Sequence, residues 1–149
     1  MPLWPKRNSR QGIEEYGRSP LWNSAENGDV SAIEQQVGLG ENPSCADDAG
    51  LTPLHIAAQN GLLEVIDLLI RLKADANAVD KYGNGPLWTA THNACLATAG
   101  QRNFSIVKAL LAAGANPLHR NKHNRSPFEI SERRSEVREI FASAGVLDA

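Results

Sequence analysis

A three-residue signature, in which a small residue is followed by Pro and then by Leu or Phe, recurs four times along this chain of 149 residues. Its copies occupy residues 19–21, 52–54, 85–87 and 126–128, so they are 33, 33 and 41 residues apart. A period in the thirties indicates stacked units, because each unit alone is too small to bury its own apolar face. The spacing therefore predicts an array of stacked repeats rather than a single globular fold.

Each signature has the chemistry of a helix start. The hydroxyl of Ser19 or Thr52 can accept a hydrogen bond from an amide of the first turn. The Pro that follows is tolerated at the first helical position, where a backbone N–H would have no partner. Gly85 lacks the hydroxyl, so the third copy is expected to start more weakly. Apolar residues at helical spacing, as in 65–69 and 106–111, predict a second helix in each unit.

Turn-forming residues separate the units. Gly40 and Gly114 are expected to close the second helices in the left-handed conformation. The segments 47–50, 80–83 and 121–124 have the composition of a short hairpin finger. Asn124 stands where the other fingers have Gly, and we expect it to adopt a positive φ.

The first and last copies are more polar than the two between them. Gln35 and Gln36 occupy the positions of Leu68 and Leu69. In the fourth copy, charged residues replace small or apolar ones, and the turn between its helices is about two residues shorter. The charged replacements are Glu129, Glu132, Arg133, Arg134 and Arg138. Because no neighbour covers the outer faces of an array, these two copies are interpreted as caps of a complete small array.

The best copy of the repeat reads GLTPLHIAAQNG over residues 50–61 and ADAN over 74–77. It resembles the ankyrin repeat, and the resemblance extends over roughly residues 14–145 in four copies. This implies an all-α repeat solenoid of helix-turn-helix units joined by short β-hairpin fingers. The single domain would span 1–149, with a lead-in over 1–13 and repeats over about 14–46, 47–79, 80–120 and 121–149.

The residue that directly follows the three-residue signature differs between copies. It is His55 in the second copy, and the resemblance implies that this ring hydrogen-bonds between neighbouring units. Trp22 and Trp88 occupy the same position in the first and third copies, and Glu129 occupies it in the fourth. Because a Trp side chain buries a large area, we interpret both Trp residues as wedges between repeats. Each buried indole N–H then needs a hydrogen-bond partner. A ligand-accessible edge of Trp88 is the alternative.

Composition excludes several functional classes. The formal net charge of −2 gives no support for general nucleic-acid binding. No apolar run reaches the roughly 18 residues of a membrane span, and residues 1–13 lack the apolar stretch of a secretory signal. Two cysteines, Cys45 and Cys95, cannot define a disulfide framework. We therefore expect a cytoplasmic protein that is monomeric on its own.

Four residues have the chemistry of a zinc site, namely His92, Cys95, His119 and His123. His92 ends a predicted helix, Cys95 lies in an insertion, and the other two fall on a finger, where four-residue spacing does not align side chains. We therefore predict no metal site. The sequence also contains no nucleophile elbow, phosphate loop or paired catalytic carboxylates, so neither an enzyme nor a cofactor is expected.

Ankyrin-repeat proteins usually bind a protein partner through the finger tips and the inner face of the first helices. Together with the insertion of the third copy, these positions give the predicted partner-binding set. The set is Tyr16, Arg18, Asp48, Gln59, Asn60, Lys81, Tyr82, His92, Asn93, Arg102, Lys122, His123, Arg125 and Arg133. Within it, Tyr16 and Tyr82 are the expected aromatic anchors, because Tyr is enriched among residues that dominate binding energy.

The predicted fingers also carry a gradient of charge. Asp47 and Asp48 make the second finger acidic, whereas Arg120, Lys122 and Arg125 make the fourth basic. Such a gradient would orient a partner and accelerate its encounter. The alternative is that these charges only solvate an exposed face.

The 41-residue step places about eight extra residues within 92–103. Insertions in repeat proteins often extend a binding face, although a tolerated surface loop is the simpler explanation. Together with residues 83–88 and 106–117, the insertion makes the chain similar to small stand-alone bacterial ankyrin proteins, which are often immunity proteins of toxins. One hypothesis is therefore a module that inhibits one protein partner, such as a toxin or effector domain. The other is a scaffold or regulatory subunit of a nucleic-acid-associated complex.

Overall fold

The computed structural model describes residues 15–96 and 98–146. These residues form eight α-helices, which follow one another as four pairs. The helices are α1 Pro20–Asn27, α2 Val30–Gly38, α3 Pro53–Asn60, α4 Leu63–Arg71, α5 Pro86–Ala94, α6 Gln101–Ala112, α7 Pro127–Ser131 and α8 Ser135–Ser143. One pair lies in each of the four expected repeats, whereas the lead-in expected over 1–13 falls outside the described residues.

The helix pairs stack into two parallel rows. The first row contains α1, α3, α5 and α7, each in contact with the next, and the second row contains α2, α4, α6 and α8 in the same way. This is the stacked solenoid that the period predicts. Each repeat contacts its neighbours, so the apolar core is continuous along the array.

The helix starts follow from the signature. Pro occupies the first turn of all four first-row helices. Ser19 Oγ accepts a hydrogen bond from the backbone N–H of Trp22 at 3.1 Å. Ser126 Oγ accepts one from the Glu129 N–H at 3.3 Å, and the Glu129 carboxylate accepts one from the Ser126 N–H at 3.0 Å. Gly85 supplies no capping side chain, and α5 nevertheless begins at the equivalent residue, Pro86, so its weaker start stays a prediction.

Small residues of the first row allow the repeats to approach closely. Ala25, Ala57, Ala58 and Ala90 are all buried between neighbouring helices. The branched and aromatic residues of the second row fill the space behind them. The fully buried members of that row include Ile33, Ile66, Leu69, Val107, Leu110, Val137 and Phe141. Repeat spacing and core packing therefore follow from the same alternation of small and large side chains.

The outer repeats expose polar side chains, as expected of caps. Gln35 is exposed where Leu68 of the second repeat is buried, and Glu132 and Arg133 are exposed in the fourth. The predicted shorter turn of the fourth repeat is wrong, because three residues, 132–134, connect α7 to α8, whereas two connect α3 to α4. The shortening lies instead in α7, which has five residues where α3 has eight.

The fingers are tight turns, and the expected β-hairpin strands are absent from residues 15–96 and 98–146. In the second finger, Asp47 Oδ1 accepts hydrogen bonds from the backbone N–H groups of Ala49 and Leu51, each at 2.9 Å. Asp80 and Asn121 close the third and fourth fingers in the same manner. Because the side chain closes each turn within a few residues, the legs are too short to form a ladder of strand hydrogen bonds.

Each finger is joined to the preceding one by a backbone hydrogen bond. Asp48 N–H donates to Tyr16 O at 2.8 Å, Lys81 N–H donates to Ala49 O at 2.9 Å, and Lys122 N–H donates to Tyr82 O at 2.9 Å. Asn124 has a φ of 59°, which confirms that it replaces a left-handed Gly. The fingers therefore keep a fixed register along one edge of the array.

Some of the extra residues in the third repeat are helical, because they lengthen α5 and α6. Helix α5 extends one residue beyond the position that ends α3, and α6 starts at Gln101, whereas the register places the equivalent of Leu63 at Phe104. The connection between α5 and α6 is residues 95–100, compared with Gly61 and Leu62 in the second repeat. About half of the extra chain is thus helical rather than loop.

Candidate partner-binding surface

The finger tips present a row of charged side chains in register. Asp48, Lys81 and Lys122 occupy equivalent positions in the second, third and fourth fingers, and all three are exposed. The bonds between successive fingers fix this order, so the charge changes from negative to positive along one edge. A partner would therefore meet an oriented field at this edge.

Exposed aromatic side chains lie one residue further along the third and fourth fingers and at the equivalent residue before α1, whereas the second finger has Ala49 at this position. Tyr16 is 62% exposed and Tyr82 is 50% exposed. Lys81 Nζ lies 5.0 Å from the centroid of the Tyr82 ring, which is within the range of a cation–π contact. His123 occupies the same position in the fourth finger and is also exposed. These residues form the part of the predicted set that the structure brings together.

We call this edge the finger row. It comprises Tyr16, Asp48, Lys81, Tyr82, Lys122, His123 and Arg125.

Arg18 and Asp47 lie next to each other beneath the finger row, and the Arg18 side chain is 34% exposed whereas that of Asp47 is 4% exposed. The Arg18 guanidinium carbon lies 4.1 Å from the centroid of the Trp22 ring, and Arg18 Nε lies 3.9 Å from Asp47 Oδ2. Because Asp47 is buried and closes its own turn, its predicted place in the surface charge gradient is wrong. The acidic end of the gradient therefore depends on Asp48.

Arg120 is likewise held by contacts next to it, at the fourth finger and the start of α7. Its guanidinium Nη1 lies 2.9 Å from Glu129 Oε1 and also donates to Asn124 O at 2.9 Å. The basic end of the gradient consequently lies on Lys122 and Arg125, which are both exposed.

A second group of predicted residues lies at the other end of the first-row helices. Gln59 and Asn60 end α3, and His92 and Asn93 lie in the last turn of α5. An eight-residue helix is about 12 Å long, so these residues are separated from the finger tips by that distance. That both groups act as one partner-binding face stays a prediction.

The Asn side chains of this second group bridge neighbouring repeats. Asn60 Nδ2 donates to Glu26 O at 3.4 Å, and Asn93 Nδ2 donates to Gln59 O at 3.3 Å. Arg134 has the equivalent position in the fourth repeat. The sequence contains this signal, because residues 27, 60 and 93 are all Asn once the copies are aligned. Asn60 and Asn93 therefore have a structural contact that residue type alone did not reveal.

Arg134 fastens the insertion to the last repeat. Its Nη1 donates to Leu96 O at 2.8 Å and to Ala94 O at 3.3 Å, and its guanidinium lies 4.9 Å from the centroid of the Phe104 ring. The end of α5 and the start of α6 are thus both held by one side chain from repeat four. Leu96 remains 46% exposed beside this contact.

The remaining predicted residues lie in three different settings. Arg102 Nη1 forms an ion pair with Glu64 Oε2 at 3.1 Å, which places it on the second row rather than with the first-row helices. His92 stacks on Trp88 with ring centroids 5.3 Å apart. Arg133 is exposed beside the insertion.

In the first and second repeats, the residue directly after the signature forms a hydrogen bond to the next repeat below the fingers. Trp22 Nε1 donates to Leu51 O at 2.8 Å, which confirms the inter-repeat wedge. His55 Nε2 lies 2.8 Å from Asn84 O, and His55 Nδ1 accepts from the Thr52 N–H at 3.1 Å. The ring is therefore neutral with its proton on Nε2, and burial lowers its pKa below the usual 6.5.

Metal-binding chemistry is not assembled in the described part of the chain. Residues 15–96 and 98–146 contain no group of three or more His, Cys, Asp or Glu side chains able to hold an ion. His119, one of the residues considered for zinc, instead places Nε2 3.0 Å from Gly83 O. Over the same residues, none of the helices has the length and apolar character required to cross a bilayer.

Comparison with known families supports the architecture. The family model for ankyrin repeats in three copies matches residues 21–121. This interval runs from the first residues of α1 to the start of the fourth finger. A search of curated proteins finds no match.

Proposed function

Because the chain belongs to the ankyrin-repeat family, whose members are generally non-catalytic modules that bind other proteins, we propose that it binds one partner protein through the finger row and inhibits that partner. The observation that carries the proposal is the exposure of Tyr82 between Lys81 and Lys122 on a backbone of fixed register. Tyr is one of the residue types enriched among interface hot spots.

The side chains at the basic end of the finger row are available for a partner. Within the described residues, Lys122 and His123 make no side-chain hydrogen bond or ion pair, and both are exposed. Arg125 is exposed as well and reaches Glu129 only through its electrostatic field. A partner that approaches repeats three and four with acidic groups would therefore need to break no existing ion pair with Lys122.

The charge gradient defines the expected partner chemistry. An acidic patch on the partner would face Lys81, Lys122 and Arg125, while a basic or neutral edge would face Asp48. Complementarity of this kind raises the association rate more than the affinity, and salt screens it within about 10 Å at 0.1 M ionic strength.

We further propose that the partner is a bacterial toxin or effector domain and that this chain acts as its immunity protein in the cytoplasm. The support for this finer assignment is the likeness of residues 83–88, the lengthened connection and residues 106–117 to small stand-alone bacterial ankyrin proteins. The chain would cover a surface of the toxin as a one-to-one complex.

Binding can be tested with the protein captured from the native cell or encoded by the neighbouring gene. Tyr82→Ala is expected to raise Kd about tenfold or more, because it removes the exposed aromatic anchor. Lys122→Ala and Arg125→Ala should each raise Kd about three- to tenfold, mainly through a slower association rate. Lys108→Ala, an exposed cation on α6 outside the finger row, is the matched control and should change Kd less than twofold.

Unchanged affinity in all three finger variants would show that the partner binds elsewhere. The immunity assignment has its own test, in which the activity of the neighbouring gene's product is measured with one equivalent of this chain. Full activity of that product in the bound complex would contradict inhibition while leaving the finger-row interface intact.

The scaffold hypothesis for a nucleic-acid-associated complex relies on the basic last third of the chain. Several of those cations are already paired, since Arg120 contacts Glu129, Arg134 contacts backbone carbonyls and Arg138 Nη1 lies 2.8 Å from Glu132 Oε1. Binding to RNA or DNA with a steep salt dependence would favour the scaffold hypothesis. We place it second because these internal pairs reduce the charge offered to a phosphate backbone.

A further inference from the structure

The second-row helices end in side chains of different size. Helix α4 ends at Arg71, whereas α6 ends at Ala112 and α8 ends at Ser143. The residue after each helix follows the same pattern, since Leu72 follows α4 and an Ala follows both α6 and α8. Long side chains therefore cover the end of α4, and small ones leave the ends of α6 and α8 bare.

A groove lies between α6 and α8 on this part of the second row. It is open to solvent and has a volume of about 610 Å³. Phe104 and Ile140 line it and are each 8% exposed, and Leu111 lines it half-buried. Ala112 and Ala144, both exposed, line it as well. The groove therefore presents apolar surface, and none of its lining residues belongs to the finger row.

The two helices carry opposite charges beside this groove. Lys108 of α6 and Glu139 of α8 both line it, and both are exposed. Each lies four residues before the last residue of its helix, so the two occupy equivalent positions. Within the described part of the chain, neither side chain makes a hydrogen bond or an ion pair. Glu136, which also lines the groove, is already paired, because its Oε2 lies 3.4 Å from Arg134 Nε.

We propose that a second copy of this chain covers the groove in a symmetric dimer. A face with a cation on one helix and an anion at the equivalent position of the next complements itself under a two-fold rotation about an axis along the groove. That rotation lays α6 of each copy over α8 of the other. Lys108 of each copy then meets Glu139 of the second copy, and the apolar groove residues meet along the axis. The chain itself thus carries the charge pattern that the groove requires of its occupant.

The size of this face predicts a weak dimer. Helix α6 has 12 residues and is therefore about 18 Å long. Two packed helices are about 20 Å wide, so each copy would cover roughly 400 Å². That is about half of what each partner buries in a standard stable interface, and we expect a Kd on the order of 100 µM. Well below this Kd the chain is a monomer, as its sequence predicts.

Dimerisation would leave the finger rows of both copies uncovered, because the groove is lined by α6 and α8 alone and by the residue that follows α8. Each chain could still bind one partner protein. A partner with two binding surfaces would be held by both finger rows at once and would gain avidity. The dimer itself does not depend on the proposed partner, because the chain alone tests it.

Sedimentation equilibrium of the full chain, from about 10 µM to about 1 mM, measures the dimer directly. The weight-average mass should rise from 16.1 kDa towards twice that value. Lys108→Glu and Glu139→Lys should each raise the Kd at least about tenfold, because each variant replaces two attractive contacts by two contacts of like charge.

A mixture of these two variants gives the sharpest measurement. One chain then has carboxylates at both positions, and the other has ammonium groups at both, so the two contacts between unlike chains are attractive again. The mixture should dimerise with a Kd within about threefold of that of the unchanged chain. Loss of dimerisation through misfolding would not be rescued in this way.

Two further variants separate the groove from general charge effects. Ala112→Arg places in the groove the side chain that Arg71 supplies at the end of α4, and it should raise the Kd at least about tenfold, because the two faces no longer fit. Lys122→Glu changes the net charge by the same amount as Lys108→Glu but lies on the finger row. As the matched control, it should change the Kd less than about twofold, because salt screens a distant charge.

A chain that remains a monomer at about 1 mM would overturn the proposal. A dimer with the same Kd in Lys108→Glu and Ala112→Arg as in the unchanged chain would also overturn it, because such a dimer uses another face. The proposal equally fails if Lys108→Glu and Glu139→Lys do not dimerise when mixed.

Discussion

His55 Nε2 donates to the carbonyl oxygen of Asn84 across 2.8 Å, and this bond joins the second repeat to the third finger. The other ring nitrogen accepts from the Thr52 N–H at 3.1 Å, so the neutral ring satisfies one donor and one acceptor of the backbone. A protonated ring would have two donors and would lose the bond to Thr52. The contact between these repeats therefore requires a neutral His55.

We predict that this requirement makes the fold less stable in mild acid. Burial lowers the pKa of His55 from 6.5, while the Asn84 carbonyl and the charges of Asp80 and Asp47 raise it to a smaller extent. The unfolded chain therefore takes up the proton first. The stabilisation is complete above about pH 6.5 and is lost as the pH falls towards the lower pKa of the folded state, with a slope of at most about 1.4 kcal/mol per pH unit.

The measurement is the free energy of urea unfolding between pH 7.5 and 5, taken as roughly the range in which His titrates. His55→Gln removes the titrating ring and should be less stable at pH 7.5 by about 2 kcal/mol, because it leaves buried groups unpaired. Its decline towards pH 5 should also be shallower. Parallel pH profiles for the two proteins would contradict a role for this ring.

We predict that Lys73→Gly stabilises the fold by about 1 kcal/mol. Lys73 has a φ of 66° at the position where Gly40 and Gly114 close the equivalent helices. Gly removes the steric cost of the left-handed conformation at this exposed position. Gly38→Ala is the control, in which removal of a Gly is expected to stabilise the fold. Gly38 lies in α2 without a positive φ, and an added Cβ would meet nothing within 4 Å. There Ala should be the more stable residue, and a loss of stability in Lys73→Gly would contradict the argument.

We predict that Trp22→Phe costs more stability than Trp88→Phe. Trp22 is fully buried and its N–H donates to Leu51 O, so the variant loses a hydrogen bond and packing, about 2–3 kcal/mol in all. Trp88 is partly exposed and its N–H has no partner among the described residues, so its variant should cost about 1 kcal/mol or less. The two variants can be compared by urea unfolding. Equal losses would show that the Trp22 hydrogen bond contributes nothing to stability.

We predict that Arg134→Ala loosens the insertion and lowers the stability by about 1–2 kcal/mol, since two carbonyls lose a charged donor at a partly exposed position. Hydrogen exchange should accelerate at the end of α5 and the start of α6, but not in α3. The neighbouring exposed residue supplies the matched control, and Arg133→Ala should change the stability by less than about 0.5 kcal/mol. Similar hydrogen-exchange rates for the ends of α5 and α6 in both variants would contradict the proposed role of Arg134 in holding the insertion.

Much of the fold could be predicted because its determinants are local. Pro at the helix starts, Gly28 and Gly61 at the helix ends and Asn124 at a positive φ each act within a turn of the chain. The fingers were predicted as hairpins, yet the side-chain acceptor of Asp47 closes the turn so tightly that no strand forms among the described residues. Composition indicates a turn but does not reveal how many ladder hydrogen bonds follow it.

The candidate surface was predicted only in part, because exposure depends on neighbours in space. Tyr82 and Lys122 lie on the finger row as expected, whereas Asp47 is buried beneath Arg18 and Asn60 bonds to Glu26 in the preceding repeat. A finger position and a residue type indicate that a side chain can be polar and exposed. They do not indicate which partner in the adjacent repeat it meets.

The sequence by itself determined the period, the helix pairs and the polar outer repeats, since each depends on residue spacing and on turn chemistry within one unit. Only the tertiary structure decided how much of the insertion becomes helix, which charges remain available to a partner, and that Trp88 lacks the acceptor that Trp22 and His55 have. Those properties arise between repeats, where contacts join residues roughly 30 to 40 positions apart. An inter-repeat hydrogen bond requires its donor and its acceptor to meet in space, whereas the spacing of the signature determines only where each repeat begins.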